Sequence, residues 1–229
     1  MGKLSALNQP ITMSYKPINR RSFIQKSSLT AIGTGSLLAL PLQSFSQPMT
    51  TENDINIVGP KDGYTPQIGT LVSMMTWMRQ VILYPVEGMT VEDLDYLIDE
   101  NANSIGAMLW HLAATERYYQ IHTFEGRKWG DWDQEDIDLW GTASGLGDKA
   151  REEIKGNNLD FYLDKLSSVR EATLKEFANR DDDWLMQVDN DFPWGPTNNY
   201  CKWFHVCEHE SNHNGQFKFL KSRLPSAQK

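Results

Sequence analysis

Residues 203–224 read WFHVCEHESNHNGQFKFLKSRL, and this stretch decides the fold. Its apolar residues return every three or four positions, which is the repeat of an α-helix that buries one face. The predicted inward face consists of Trp203, Val206, Glu210, His213, Phe217, Leu220 and Leu224. Two polar residues, Glu210 and His213, interrupt this apolar face. The pattern predicts a helix that packs into a core and also contributes to a functional site.

Three further stretches show the same helical repeat. The first begins at Pro66, since proline favours the first helical position, and ends before Pro85. The next two are predicted at about 103–122 and 159–179, and the quoted stretch belongs to a helix at about 198–223. A short connecting helix is predicted at 90–99.

The apolar stripes of the first three helices define the rest of the predicted core. They are Ile68, Leu71, Val72, Met75, Met78 and Ile82, then Ile105, Met108, Leu112 and Tyr119, and then Tyr162, Leu166, Val169 and Phe177. Four amphipathic helices of this length share one apolar interior most economically as a bundle. We therefore predict an all-α protein, an up-down four-helix bundle over residues 66–225 with long connecting loops. No strand pattern of comparable strength and no internal repeat is visible.

The two longest connections, 124–158 and 180–197, are rich in aromatic residues. They contain Trp129, Trp132, Trp140, Trp184, Phe192 and Trp194. Connections of this length in a compact domain are usually functional or mobile. The aromatic side chains could therefore wall a pocket, or they could cap the ends of the bundle.

The composition narrows the classes of partner. The chain has 229 residues and a net charge of −8. An acidic chain repels phosphates, so nucleic acid is not expected as a partner. Cys201 and Cys207 lie on one predicted helix, where their side chains diverge too far to form a disulfide. Free buried thiols are expected at both positions.

The first 46 residues have the character of an export signal, with five basic side chains and no acidic one. Residues 19–26, NRRSFIQK, resemble a twin-arginine signal, and an apolar segment at 27–42 follows. Small residues at 44 and 46 predict cleavage before Gln47, an exposed lead-in at 47–65 and export to the periplasm. A membrane anchor is the alternative, but an apolar run of roughly 16 residues is shorter than the ~20 that a span needs. No stable anchor is expected.

Four of the five histidines fall into one pattern. His209 and His213 lie four residues apart near the inward face of the last helix, so two imidazoles can bind one ion. His111 lies beside the apolar stripe of the second helix and could add a third ligand, which would leave an open position of the catalytic kind. His205 is rotated away from the inward face, and His122 lies about 16 Å along the axis from His111. The predicted metal ligands are His111, His209 and His213.

Two carboxylates flank the histidine pair. Glu208 or Glu210 could orient a ligand ring, and Glu210, on the inward face, is the better candidate and could even be a fourth ligand. His205 is a further candidate for a supporting role. Residues 209–213, HESNH, also match the H-E-x-x-H pattern of zinc peptidases. No third histidine follows downstream, and the upstream His111 favours a site between helices instead.

At these residues the chain resembles a known superfamily. Residues 103–116, NSIGAMLWHLAATE, resemble the second-helix signature of DinB-like proteins, which are metal-binding four-helix bundles. Residues 205–216, HVCEHESNHNGQ, resemble the last-helix signature, and the resemblance extends over about 66–225. It implies that His111, His209 and His213 bind one divalent ion, commonly zinc or nickel. Some members resemble thiol S-transferases and others look like hydrolases. The thiols of such transferases belong to the cytosol, whereas the N-terminal segment of this chain predicts export.

These observations lead to one functional hypothesis and one alternative. Three neutral imidazoles leave the double charge of an ion uncompensated, which favours hydroxide or thiolate at the vacant position. We therefore expect a metal-dependent enzyme that activates a water or a thiol toward an unknown small-molecule substrate. The alternative is a non-catalytic metal-binding or structural bundle. A homodimer through exposed helix faces is a further expectation.

Overall fold

Helices account for most of the chain that the computed structural model describes, residues 55–228. The α-helices of this part are α1 (Pro66–Leu83), α2 (Val91–Asp95), α3 (Ile105–Thr123), α4 (Gln134–Gly145), α5 (Gly147–Glu153), α6 (Leu159–Phe177), α7 (Asp182–Met186) and α8 (Asn199–Lys221). The 3-10 segments are Tyr84–Val86 and Pro225–Gln228, and the strands are β1 (Val188–Asp189) and β2 (Thr197–Asn198). The all-α prediction is confirmed. The predicted signal peptide and residues 47–54 of the lead-in lie outside the described residues.

The long helices begin where the sequence offers capping groups. Ser104, Asn158 and Asn198 each accept a hydrogen bond from the backbone N–H three residues further on. α1 begins at Pro66, as predicted, and its first free N–H groups donate to the carboxylate of Asp182 in α7. A negative charge at this position also interacts favourably with the helix dipole. Within residues 55–228, no helix combines the length and the apolar character needed to cross a bilayer.

α1, α3, α6 and α8 form the bundle. α3 packs between α6 and α8, and α8 also packs against α1. All seven residues of the predicted inward face of the last helix are at most 7 % exposed, which confirms that part of the core. Side chains such as Trp203 and Phe217 contribute about 1.5–3 kcal/mol each by this burial. The stripes of the other three helices are buried as well, except that Met78 is only partly covered.

The connections differ from the long loops that the sequence predicts. α4 and α5 occupy much of 124–158, and α7 lies within 180–197. α4 buries only Trp140 and Ala143, so its apolar face is too narrow to give a clear helical repeat. β1 and β2 pair antiparallel, and strands of two residues are too short to show an alternating pattern. α2 ends at Asp95, earlier than the predicted residue 99.

A buried network of four charged side chains joins the four bundle helices. α1 contributes Arg79, α3 Glu116, α6 Arg170 and α8 Glu210. The guanidinium of Arg79 donates to Oε2 of Glu116 at 2.9 Å and to Oε1 of Glu210 at 2.6 Å. The guanidinium of Arg170 donates to Oε1 of Glu116 at 2.7 Å and to Oε1 of Glu210 at 3.0 Å. Each guanidinium therefore bridges both carboxylates.

The two arginines also close the side of the bundle between α1 and α6. Arg79 donates to the carbonyl oxygen of Leu166 at 2.8 Å, and Arg170 donates to that of Met75 at 3.0 Å. Burial by itself would raise the pKa of Glu116, yet the charges of Arg170 and Arg79 outweigh it and hold that pKa below its usual value. Glu116 is therefore a stabilising anion at neutral pH.

Glu116→Gln is expected to destabilise the protein by about 3–5 kcal/mol at pH 7, because two buried guanidinium groups lose a shared partner. Urea denaturation followed by circular dichroism measures the change. The difference from the wild type is expected to shrink as the pH falls below the usual glutamate value of 4.5 and through the lower pKa of the folded state.

Glu176→Gln is the matched control on the surface. Glu176 pairs with Arg180 at 3.1 Å and is 40 % exposed, so its loss is expected to cost less than about 1 kcal/mol. Equal effects of the two substitutions would contradict the role given to the network.

Candidate metal centre

Three histidine side chains converge between α3 and α8. Nε2 of His111 lies 2.8 Å from Nε2 of His209. The ring centre of His213 lies 5.1 Å from that of His111 and 4.8 Å from that of His209. One nitrogen of each ring can be chosen so that all three lie within 4.8 Å of one another. The helical repeat places His209 and His213 on one face, and the packing of α3 on α8 brings His111 to them.

The nitrogen separations suit a single small ion. Two nitrogens that bind one zinc ion in a tetrahedral arrangement lie about 3.3 Å apart, since each Zn–N bond is about 2.0–2.1 Å. The pair at 2.8 Å would have to open by only a few tenths of an ångström, which a small rotation of the His111 or His209 ring provides. Nδ1 of His213 is buried and has no hydrogen-bond partner among residues 55–228. The three residues therefore fit a divalent ion.

A backbone carbonyl fixes the tautomer of one ring. Nδ1 of His111 lies 3.0 Å from the carbonyl oxygen of Ala143 in α4. A carbonyl only accepts hydrogen bonds, so Nδ1 carries the proton and Nε2 keeps a lone pair that faces His209. Such a partner is typical of metal-binding histidines. The sequence pattern did not predict the role of Ala143, because a backbone carbonyl leaves no mark in the sequence and α4 was not predicted as a helix.

The electrostatics keep all three rings uncharged. Burial lowers the pKa of His111, lowers that of His209 to about 3 and lowers that of His213 to about 4. The charge that a neighbouring ring would carry adds to the effect, as His213 and His111 do for His209. At neutral pH each ring is therefore a neutral ligand with an available lone pair.

The site is open on one side. His213 is buried, whereas His111 and His209 are partly exposed. His205, the next residue on the same face of α8, packs its ring 5.2 Å from that of His209 and 4.9 Å from that of Trp194. A small molecule can therefore approach the exposed edges of His111 and His209 beside an aromatic wall.

The sequence left open whether the aromatic residues of the two connections wall a pocket or cap the ends of the bundle, and both cases occur. Trp194 belongs to the aromatic wall, since its ring contacts that of His205, whereas Trp129 packs against Tyr119, His122 and Phe192. Trp140 is buried in the core, and Trp184 stacks on Phe124 at the end of the bundle. Some of these side chains thus line the site and others cap the bundle.

The residues expected to support the ligands have different positions. Oε1 of Glu210 accepts hydrogen bonds from Arg79 and Arg170, whereas its Oε2 has no partner among residues 55–228, so the expectation that Glu210 orients a ligand ring or binds the ion stays a prediction. Glu208 accepts a hydrogen bond from Asn212 on the same helix face. Nδ1 of His205 lies 3.0 Å from the hydroxyl of Tyr119. The sequence could not predict that Glu210 pairs with two arginines, because those arginines lie on other helices.

The remaining candidates lie apart from the histidine cluster. His122 contacts Asp189 and Lys202 instead. Cys207 is buried, and burial raises the pKa of its thiol to about 11, whereas Cys201 is exposed, which corrects the expectation of two buried thiols. Both cysteines are free.

Comparisons with known proteins identify a family for this chain. The family model described as mycothiol-S-transferase matches residues 70–224. Among solved structures, a conserved protein from Enterococcus faecalis is similar, with 12 % sequence identity and a TM-score of 0.48 over 66 % of this chain and 93 % of that one. A comparison with curated proteins finds no match.

His111→Ala and His213→Ala together are expected to abolish stoichiometric binding of a divalent ion, because one imidazole cannot hold it alone. Metal analysis of the purified protein after dialysis measures the bound ion. His122→Ala, in the same helix as His111 but outside the cluster, is expected to keep the wild-type metal content. A double variant that retains its metal would contradict the assignment of the ligands.

Proposed function

We propose that this chain, which belongs to the mycothiol-S-transferase family, joins a thiol through its sulfur to a small electrophile at its three-histidine site, with the thiol proton released to solvent. This family is part of the DinB-like superfamily, which confirms the resemblance noted in residues 103–116 and 205–216. We assign the reaction to the three-histidine cluster and the role of a metal ligand to each of its histidines.

The convergence of three neutral imidazoles is the observation that supports the proposal most strongly. His111, His209 and His213 offer three lone pairs within 4.8 Å and no negative charge. A divalent ion bound there would lower the pKa of a thiol that reaches it and so supply a thiolate at neutral pH. A carboxylate ligand would offset part of that charge, and on α8 the buried carboxylate of Glu210 is bonded through Oε1 to two arginines.

Neighbouring residues prepare the site for this chemistry. The carbonyl of Ala143 keeps the lone pair of His111 Nε2 directed into the cluster. Trp194 provides apolar surface beside the cluster, which would restrict water and hold the apolar part of an electrophile. Attack of sulfur on carbon forms the C–S bond, and the leaving group departs with the electron pair of the broken bond.

Two features favour an enzyme over a non-catalytic metal-binding bundle. Structural zinc sites are almost always closed by four protein ligands, whereas this cluster has three. The rings of His111 and His209 also remain partly exposed, so a substrate has access. Hydrolysis by an activated water is the competing reaction, and the family match favours a thiol.

The test is a transferase assay with zinc-loaded or nickel-loaded protein. N-acetylcysteine and 1-chloro-2,4-dinitrobenzene serve as probes, and absorbance reports the thioether. His209→Ala is expected to lower the rate about 100-fold or more, since the ion can no longer lower the pKa of the thiol. His122→Ala, as the matched control, is expected to retain the wild-type rate.

The outcomes separate the alternatives. Formation of dinitrophenol instead of the thioether would indicate hydrolysis, and the thiol proposal would then fail. If a range of thiols and electrophiles gives equal rates with wild type and His209→Ala, the bundle is non-catalytic.

We also propose that the chain is exported by the twin-arginine route and acts in the periplasm on a small molecule, without nucleic acid or a membrane anchor. Its thiol is then one that is present in that compartment and not a cytosolic thiol. The support is the string at residues 19–26 with the apolar segment behind it. Replacing Arg20 and Arg21 together by Lys is expected to retain the protein in the cytoplasm of a bacterial host. The wild-type protein from the periplasm is expected to begin at Gln47 by N-terminal sequencing. An unprocessed, cytoplasmic wild-type protein would contradict export.

A further inference from the structure

A second cavity lies apart from the three histidines, between the segment after α3 and the segment before α8. Its volume is about 530 Å³, which is in the usual range for small-molecule sites. Lys202, Lys128 and Asn199 contribute polar groups to its walls, and Trp129, Trp184 and Phe192 contribute aromatic rings. Neither the metal centre nor the transferase reaction uses this cavity.

Lys202 supplies a buried ammonium group with spare hydrogen-bonding capacity. Its side chain is only 2 % exposed, and Nζ lies 2.9 Å from Oδ2 of Asp189 and 2.9 Å from Nε2 of His122. Nδ1 of His122 lies 2.7 Å from the carbonyl oxygen of Arg127 and therefore carries a proton. Nε2, which also lies 3.1 Å from Oδ2 of Asp189, accepts from Lys202. An ammonium group has three N–H bonds. Among residues 55–228 only two acceptors are present, so one N–H remains for a ligand.

The charges around the cavity favour an anionic group at this N–H. The walls hold three cationic side chains, Arg127, Lys128 and Lys202, against two carboxylates, Asp189 and Asp191. Lys202 and Asp189 compensate each other, and Arg127 is shared with carboxylates outside the walls. Lys128 forms no ion pair with any residue of the described chain. Asn199 is the first residue of α8, and the positive end of a 23-residue helix adds to the attraction. Asp191 is the one carboxylate of the walls without such compensation.

The aromatic side chains determine the shape of the ligand. The rings of Trp129 and Phe192 lie 5.4 Å apart at 71°, and Phe192 also lies below Nζ of Lys202 at 4.8 Å. Trp184 forms a further part of the wall. Rings arranged edge to face present flat apolar surfaces that suit a planar ring in offset or edge contact.

We propose that this cavity binds a small aromatic carboxylate, with its carboxylate at Lys202 and Lys128 and its ring against Trp129, Trp184 and Phe192. The inference does not rest on the proposed transferase function, since the cavity contains none of the three metal-binding candidates.

The experiment is isothermal titration of the full protein with 2-naphthoate and with 2-naphthamide, its uncharged counterpart. The wild type is expected to bind the carboxylate about tenfold more tightly, because a charge-assisted hydrogen bond is lost with the amide. Lys202→Met is expected to remove this preference, whereas Lys175→Met, on α6 outside the cavity, keeps it. Phe192→Leu is expected to weaken both probes equally, since it removes ring contact and leaves the charges in place.

One further variant separates the cavity from the metal centre. His213→Ala is expected to bind 2-naphthoate as the wild type does, because the cavity does not contain that residue. Loss of binding in His213→Ala would show that the carboxylate binds at the metal centre and would overturn the proposal. Equal affinity of the wild type for the two probes, no binding of either, or an unchanged preference in Lys202→Met would overturn it as well. If Lys202→Met does not fold, the probe pair on the wild type and Phe192→Leu still decide.

Discussion

Four buried charges, one from each helix of the bundle, are the constraint on which the rest of this structure depends. Taking an ion out of water costs several kcal/mol, and this cost is recovered only if the partners are in place. Here each carboxylate bonds both guanidinium groups, so all four helices must be in register together. Apolar stripes alone would tolerate small displacements, because apolar contact is not directional. A helix shifted by one turn would leave a buried charge without its partner.

The same constraint positions the metal-binding candidates. Glu210 follows His209 directly, and His213 lies one turn further on α8. On α3, Glu116 follows His111 by five residues. Bonds that hold Glu210 and Glu116 to common arginines therefore also set how α3 and α8 present their histidines to each other. The network thus helps to fix the positions of the three histidines.

The bundle interior has two layers, the charged network around Glu116 and the histidine cluster around His209. Burial favours different protonation states in the two. Around Glu116 the guanidinium charges outweigh desolvation, and the charged form is the stable one. Around His209 no opposite charge offsets burial, and the neutral form is the stable one. A buried layer of paired charges gives rigidity, and a neutral, partly exposed layer offers lone pairs that could hold a metal ion. The rings of His205 and Trp194 lie beside the second layer.

The sequence by itself determined the four long helices, their buried faces and the pairing of His209 with His213, because helical periodicity and an i,i+4 spacing are local properties. It could not reveal that Glu210 serves Arg79 and Arg170, that the carbonyl of Ala143 orients His111, or that helices occupy the long connections. Those features were decided by the tertiary structure alone. Their partners lie on segments far apart in the chain, and only the packing of the bundle brings such charges, carbonyls and rings within hydrogen-bonding distance.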